Sequence, residues 1–451
     1  MDMPLQKIIL LLLTAHLMTG HALGQQPMSL SLDQALEQGL KHHYTLQTAR
    51  IEVESARQKV RETTATGLPQ ISANVGYNDN ISLPTTLLPG AFLGQDAPVA
   101  VRFGTRYSSS AGLNVNQLLF SGSYIVALQS AQTFLRQSEK NLEKTQIEVT
   151  KSIKDAYVMV LATHENLRVI DSTLSITKNL ASQTRLIVAN GFGEETDLDQ
   201  LLLMVDELEA ARNNVLNQVN LAENMLKFHL GLDPIVPIAL TDKLDEISVR
   251  LAGEQLAGTT FKVDDNINYQ LLKNQQQLAG LQLKLEKSAY LPTLSAFLNT
   301  QTNAQREEWD FFDSKGRWYF SSILGISLQI PIWSSGQRDA RVKQARLNLD
   351  AMQVAEQSLR NSLSLQHQSA NNAFGNALLT VENTRRNKAT AEKIYRRTSI
   401  KYTEGIASSL DVLNTHNQYL NAQTQYINAT LELINKATEL ETLVAKPGIK
   451  P

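Results

Sequence analysis

The 451-residue chain contains no cysteine. Disulfides, thiolate metal sites and lipidation on a cysteine are therefore excluded. Proline is missing over long stretches, with none between Pro98 and Pro234 or between Pro331 and Pro447. After the N-terminus no segment has the roughly twenty consecutive apolar residues of a membrane helix. If this chain crosses a membrane, it does so with strands. Neither sign of charge is in excess, with 42 Lys and Arg against 44 Asp and Glu, so nothing suggests a nucleic-acid partner.

Catalytic and metal motifs are missing too. His42 and His43 are adjacent and point to different sides of a helix, and His164-Glu165 lacks the second His of a zinc helix motif. His367 and His416 have no carboxylate or His partner at a useful spacing. Gly191-Phe192-Gly193 follows a predicted helix and lacks the third glycine of a phosphate loop. No nucleophile elbow occurs. The residues predict no enzyme, cofactor or metal.

Residues 1–24 read as a secretory signal peptide. Lys7 supplies the positive start, Ile8 to Met18 is mostly apolar, and Ala22-Leu23-Gly24 is a small-x-small cleavage site. The proline-free stretches carry heptads. The first seam includes Leu128, Leu135, Val149, Ile153, Val160, Ile170, Leu174 and Ala181, and the second runs from Val342 to Ala377. A sustained 3.5-residue spacing implies left-handed supercoiling against neighbours. At about 1.5 Å per residue the first helix would be on the order of 100 Å long.

The period changes to two in four places. Ile71, Ala73, Val75 and Tyr77 alternate with polar residues or glycine, as do Ala111, Leu113 and Val115. Leu294, Ala296 and Leu298 repeat the pattern, and so do Leu324, Ile326, Leu328 and Ile330. Residues 81–103 read as a long loop, and a single helix is predicted from Leu30 to about Thr66. Thr196 or Asp197 is the predicted cap of the helix running to Leu230, and residues from Gly231 to about Lys262 read as an irregular connector. Trp309, Phe311, Phe312, Trp318, Tyr319 and Phe320 resemble an interfacial girdle.

The chain repeats itself. Pro69 and Pro292 each stop a helix before a strand. Phe120-Ser121-Gly122 and Pro331-Ile332-Trp333-Ser334-Ser335-Gly336 each join a strand to a long helix, and Gly191 with Asp197 matches Gly405 with Asp411. The predicted organisation is a signal peptide at 1–24, repeats at 25–230 and 263–446, a connector at 231–262 and a tail at 447–451. Four amphipathic strands cannot close a membrane barrel, whose smallest known forms have about eight. Several copies of the chain must therefore close it together.

Taken with Tyr402-Thr403-Glu404-Gly405 and Asp411-Val412-Leu413, these marks resemble the outer membrane efflux proteins, the TolC-like family. The resemblance implies a mixed α/β membrane protein with internal duplication. Each of three chains would give four strands to a transmembrane β-barrel and long helices to a periplasmic barrel. It implies a passive exit duct in the outer membrane, surrounded by outer-membrane lipid. Its partners would be a periplasmic adaptor and an inner-membrane efflux pump or ABC exporter. The alternative is that the chain is itself a periplasmic adaptor. The resemblance places a constriction at Asp411 and Asn414, with Tyr402 and Asp197 tethering helices. Asn414 and Ala407 stand where the family often carries charge, which implies a weaker or different latch. Adaptor docking falls on the turns at Gly191-Phe192 and Gly405-Ile406, where the glycines themselves serve a left-handed turn.

Overall fold

The computed structural model describes residues 27–94, 96–253, 261–313 and 316–445. The predicted signal peptide and the tail at 447–451 lie outside them. By chain order the helices are α1 (Leu32–His42), α2 (Tyr44–Ala65), α3 (Gly122–Ala189), α4 (Glu195–Leu230), α5 (Leu244–Gly253), α6 (Ile267–Ser288), α7 (Gln337–Thr403) and α8 (Ser409–Val444). The strands are β1 (Met28–Leu30), β2 (Gln70–Asp79), β3 (Thr85–Leu88), β4 (Val99–Arg102), β5 (Tyr107–Ser121), β6 (Ile238–Leu240), β7 (Thr293–Arg306) and β8 (Tyr319–Gln329). Helices α3 and α7 contain 68 and 67 residues and fill the proline-free stretches, with the second predicted seam, Val342 to Ala377, covering about half of α7. The chain divides into two compact units. One comprises residues 51–139 and 271–357, the other the remainder.

The first unit carries an antiparallel sheet in the order β2-β5-β7-β8. Its register aligns Ile71, Val115, Leu298 and Leu324 across all four strands on one face. Asn74, Gly112, Gln301 and Ser321 align on the other. All four helix junctions lie at one end of this sheet and both hairpin loops at the other. The predicted loop at 81–103 is not wholly irregular, since β3 and β4 pair within it. Most of the predicted girdle is exposed, but Phe311 is buried, packing edge-on against Tyr77 with ring centroids 5.8 Å apart.

The junctions are tight. Strand β5 passes into α3 with no residue between them, after a bulge at Leu119 that shifts its register against β7. A Cβ on Gly122 would stand 2.5 Å from Leu291, and one on Gly67 would strike the ring of Tyr124. The Tyr124 hydroxyl donates to Thr64 O at 3.0 Å, which ties α3 to α2. On the other junction Arg338 donates to Pro331 O at 3.0 Å and lies over the Tyr290 ring. Gly336 there has a φ of +82°.

The second unit is helical. Tyr157, Leu226, Leu230, Leu433, Ile434 and Leu440 are fully buried at its centre. The predicted helix from Leu30 to Thr66 is instead three elements. Met28–Leu30 pairs in parallel with Ile238–Leu240, which lie in the supposedly irregular connector together with α5. The Tyr157 hydroxyl donates to Asp242 at 2.7 Å, and Asp242 also accepts from Leu32 N, fixing this strand's exit. Ser31 caps α1 in a capping box with Gln34. The break falls at His43, whose extended backbone ends α1 and whose Nδ1 accepts from Thr45 N at the start of α2.

Helix α4 closes at Gly231, with φ +66°. Gly231 N donates to Phe228 O and Leu232 N to Lys227 O, at 3.1 and 2.9 Å. This is a Schellman closure, and Leu232 packs against the core. A Cβ at Gly231 would also stand 2.6 Å from the backbone oxygen of His42. Gly231→Ala should therefore destabilise the helical unit by roughly 1–3 kcal/mol, since strained φ and a backbone clash coincide. A melt followed by circular dichroism at the helical band should show the lowered transition.

Candidate functional site: the paired helix turns

Helices α3 and α4 are joined by one short turn and α7 and α8 by another, both in the helical unit. The two turns close identically. Gly191 N donates to Val188 O at 2.9 Å and Phe192 N to Ile187 O at 3.0 Å. Gly405 N donates to Tyr402 O at 2.9 Å and Ile406 N to Lys401 O at 2.8 Å. Gly191 and Gly405 have φ of +79° and +74°, a conformation in which a side chain costs energy. The residue after each glycine normally packs back on its helix, as Leu232 does. Phe192 and Ile406 do not, remaining 86% and 70% exposed.

Polar side chains join the two hairpins behind the turns. The Tyr402 and Thr184 hydroxyls are hydrogen-bonded at 2.9 Å, linking α7 to α3. The Ser409 hydroxyl donates to the Asp197 carboxylate, with Gln200 Oε1 2.8 Å away, linking α8 to α4. Asp197 is therefore not the cap of α4. That position is Glu194, which makes no side-chain cap bond, and Thr196 donates to Glu194 rather than capping. The sequence reading found Tyr402 and Asp197 but missed Thr184, Ser409 and Gln200, whose residue types carry no signal apart from their neighbours in space.

Asp411 and Asn414 are both exposed, one turn apart on α8. Asp411 has local work as well. Ser408 N and Oγ donate to its Oδ2 at 2.9 and 2.8 Å, and Asp411 N donates to Ser408 Oγ at 3.2 Å. These bonds to Ser408 hold its carboxyl below the ordinary Asp range, so it stays charged. Burial and the nearby Asp197 charge push the Tyr402 phenol up, so it remains neutral.

Between the four helices Leu180, Ala181, Leu201, Tyr395 and Val412 form a small core. His416 lies beside Tyr395, ring centroids 5.5 Å apart, and neither of its ring nitrogens has a hydrogen-bond partner. The other histidines among the described residues are solvated or packed. His164 meets Glu223, His43 stacks on His229, and His367 stacks on Phe261. Among the described residues no cluster of His, Asp and Glu could hold a metal.

Known proteins share both the sequence pattern and the fold. The outer membrane efflux protein family model matches residues 35–232 and 270–446, one segment per repeat. This chain belongs to the outer membrane efflux protein family. The family character excludes an enzyme and gives no support to the adaptor alternative, and it places the protein in the outer membrane. Vibrio cholerae TolC is 25% identical over 302 residues, covering 65% of this chain and 62% of TolC. The efflux protein BepC of Brucella suis is 22% identical over 413 residues, covering 90% of this chain and 84% of BepC. The Campylobacter jejuni CmeC channel superposes with a TM-score of 0.72 at 16% identity, over 93% of this chain and 87% of CmeC. The fold is thus that of the TolC-like outer membrane channels, in which the four-stranded sheet is one chain's share of a transmembrane barrel.

Burial lowers the pKa of His416 to about 4, so the folded protein keeps this ring neutral while the unfolded chain protonates near 6.5. The unfolded state then binds the extra proton between these values, and stability falls as pH drops through that window. The loss is complete below about pH 4 and is of order 3 kcal/mol for a displacement of this size. His416→Leu should flatten the acid side of a stability–pH profile measured by thermal melting. An unchanged slope between pH 6.5 and 4 would exclude His416 as its source.

Proposed function

We propose that the protein is the passive exit duct of a tripartite export system. Three copies give twelve strands to one outer-membrane barrel and continue as a helical duct in the periplasm. A periplasmic adaptor meets that duct and connects it to an inner-membrane efflux pump or ABC exporter. The observation that carries this reading is the sheet itself, in a chain of this family. Its order leaves β2 and β8 as open edges, with apolar side chains such as Ile71, Val75, Leu324 and Ile326 exposed. Open edges are not tolerated in lipid, so copies must join edge to edge. In this reading residues 1–24 are the signal peptide, 25–230 and 263–446 the repeats, 231–262 the connector and 447–451 the tail.

The paired turns then form the periplasmic end. Phe192 and Ile406 are the apolar contacts offered to the adaptor. Asp411 supplies the charge of the constriction and Asn414 a neutral polar rim. The Tyr402–Thr184 and Asp197–Ser409 bonds restrain the hairpins in the closed state. Two substitutions separate these roles in planar-bilayer recordings. Tyr402→Phe with Ser409→Ala removes both restraints, each worth about 1 kcal/mol or more, and should raise mean conductance or open time. Asp411→Asn keeps an acceptor for Ser408 while removing the charge, and should weaken block by divalent cations. Unchanged conductance in the first variant and unchanged block in the second would exclude these residues from the gate.

A further inference from the structure

Apart from Asp79 and Arg306 at their loop ends, the four strands of the sheet carry no charge. Residues 70–78, 107–121, 293–305 and 319–329 contain no Asp, Glu, Lys or Arg. Charge reappears differently at the two ends of the sheet. The hairpin loops at 79–106 and 306–318 contain six acidic residues and five basic ones. The helix end is strongly basic. Within the eleven helical residues nearest each junction (55–65, 122–132, 278–288 and 337–347) there are nine Lys and Arg. The acids there are Glu62, Glu286 and Asp339 alone. Eleven residues of helix extend about 16 Å, which keeps these charges close to the membrane surface.

Neighbouring acids neutralise only part of this collar: Arg57 pairs with Glu54, Lys59 with Glu62 and Lys343 with Asp339. Lys284, Lys287, Arg341 and Arg346 are exposed and take part in no ion pair among the described residues. A groove of about 540 Å³ lies among α3, α6 and α7, within the sheet-bearing unit. Arg136, Lys284 and Lys287 line it together with Leu281, Leu283 and Leu349, and no acidic side chain does. Lys287 stands five residues before Pro292, where the chain enters β7.

We infer that this collar binds the headgroups of anionic phospholipids in the periplasm-facing leaflet. The inference rests on the channel reading above. Two features identify the occupant. The basic surface is continuous with the apolar band of the sheet, and the groove joins cations to an apolar floor. A phospholipid matches both, with phosphate on the Lys and Arg side chains and glycerol and upper acyl carbons on the leucines. Each such cation near an anionic surface strengthens binding about five-fold at moderate salt.

The purified mature protein, in detergent, would be mixed with equal phosphatidylglycerol and phosphatidylcholine and washed, and the retained lipid measured by mass spectrometry. Several-fold enrichment of phosphatidylglycerol is expected. It should fall to near-equal retention of the two lipids in the variant K284Q/K287Q/R341Q/R346Q, and also at about 1 M salt, where screening shortens to about 3 Å. The loop-end variant R102Q/R106Q should retain it. Equal retention of the two lipids, enrichment unchanged in the fourfold variant, or equal loss in the loop-end variant would each overturn the collar. Bilayer recordings separate the two readings. A conducting wild type without enrichment removes only the collar, whereas a wild type that never conducts removes the channel reading and the collar with it.

Discussion

Unpaired backbone groups on a strand edge are the constraint from which the rest follows. Each N–H or C=O left without a partner in hydrocarbon costs several kcal/mol. Strands β2 and β8 each pair on one side only, so one chain is an incomplete membrane structure. Closure by copies of itself supplies partners along the open edges of the ten-residue β2 and the eleven-residue β8, where every second residue presents its N–H and C=O. The strand interiors free of charge, the apolar row from Ile71 to Leu324 and the polar row from Asn74 to Ser321 all become intelligible once both edges are closed. One face then meets lipid and the other an aqueous interior.

The junctions show how a sheet is joined to helices without slack. Gly122 and Gly67 admit Leu291 and Tyr124 where a side chain would collide. The bulge at Leu119 re-aims the end of β5 into α3, and bulges of this kind increase local twist. At the opposite extreme the core behind the helix turns is loosely satisfied. His416 and Gln423 are almost fully buried, yet their side-chain nitrogens and oxygens have no partner. Such groups raise the energy of the packed state.

Much of this was legible in the residues. The prolines at 69, 292 and 331 and the glycines at 122, 191, 336 and 405 mark transitions that the structure reproduces, because these residues act through their own backbone. The heptads mark α3 and the first half of α7, and the breaks at Gly191 and Gly405 mark their ends. The errors share a cause. Met28–Leu30 became a strand because Ile238–Leu240, far along the chain, offered it a parallel partner. Helical periodicity ran through His43 because a break without glycine or proline leaves no local mark. Asp197 resembled a cap until Ser409, 212 residues distant, proved to be its donor. At the site itself the sequence marks the turns, Tyr402 and Asp197, while their hydrogen-bond partners depend on which helices pack together.

One further consequence comes from the exposed side chains of Phe192 and Ile406. Backbone hydrogen bonds fix both bends before any other molecule arrives, so little conformational freedom remains to be surrendered there. In the proposed reading, an adaptor that settles on these two apolar knobs meets a template already set. Its association is then governed by rigid-body encounter and shape match rather than by a folding step.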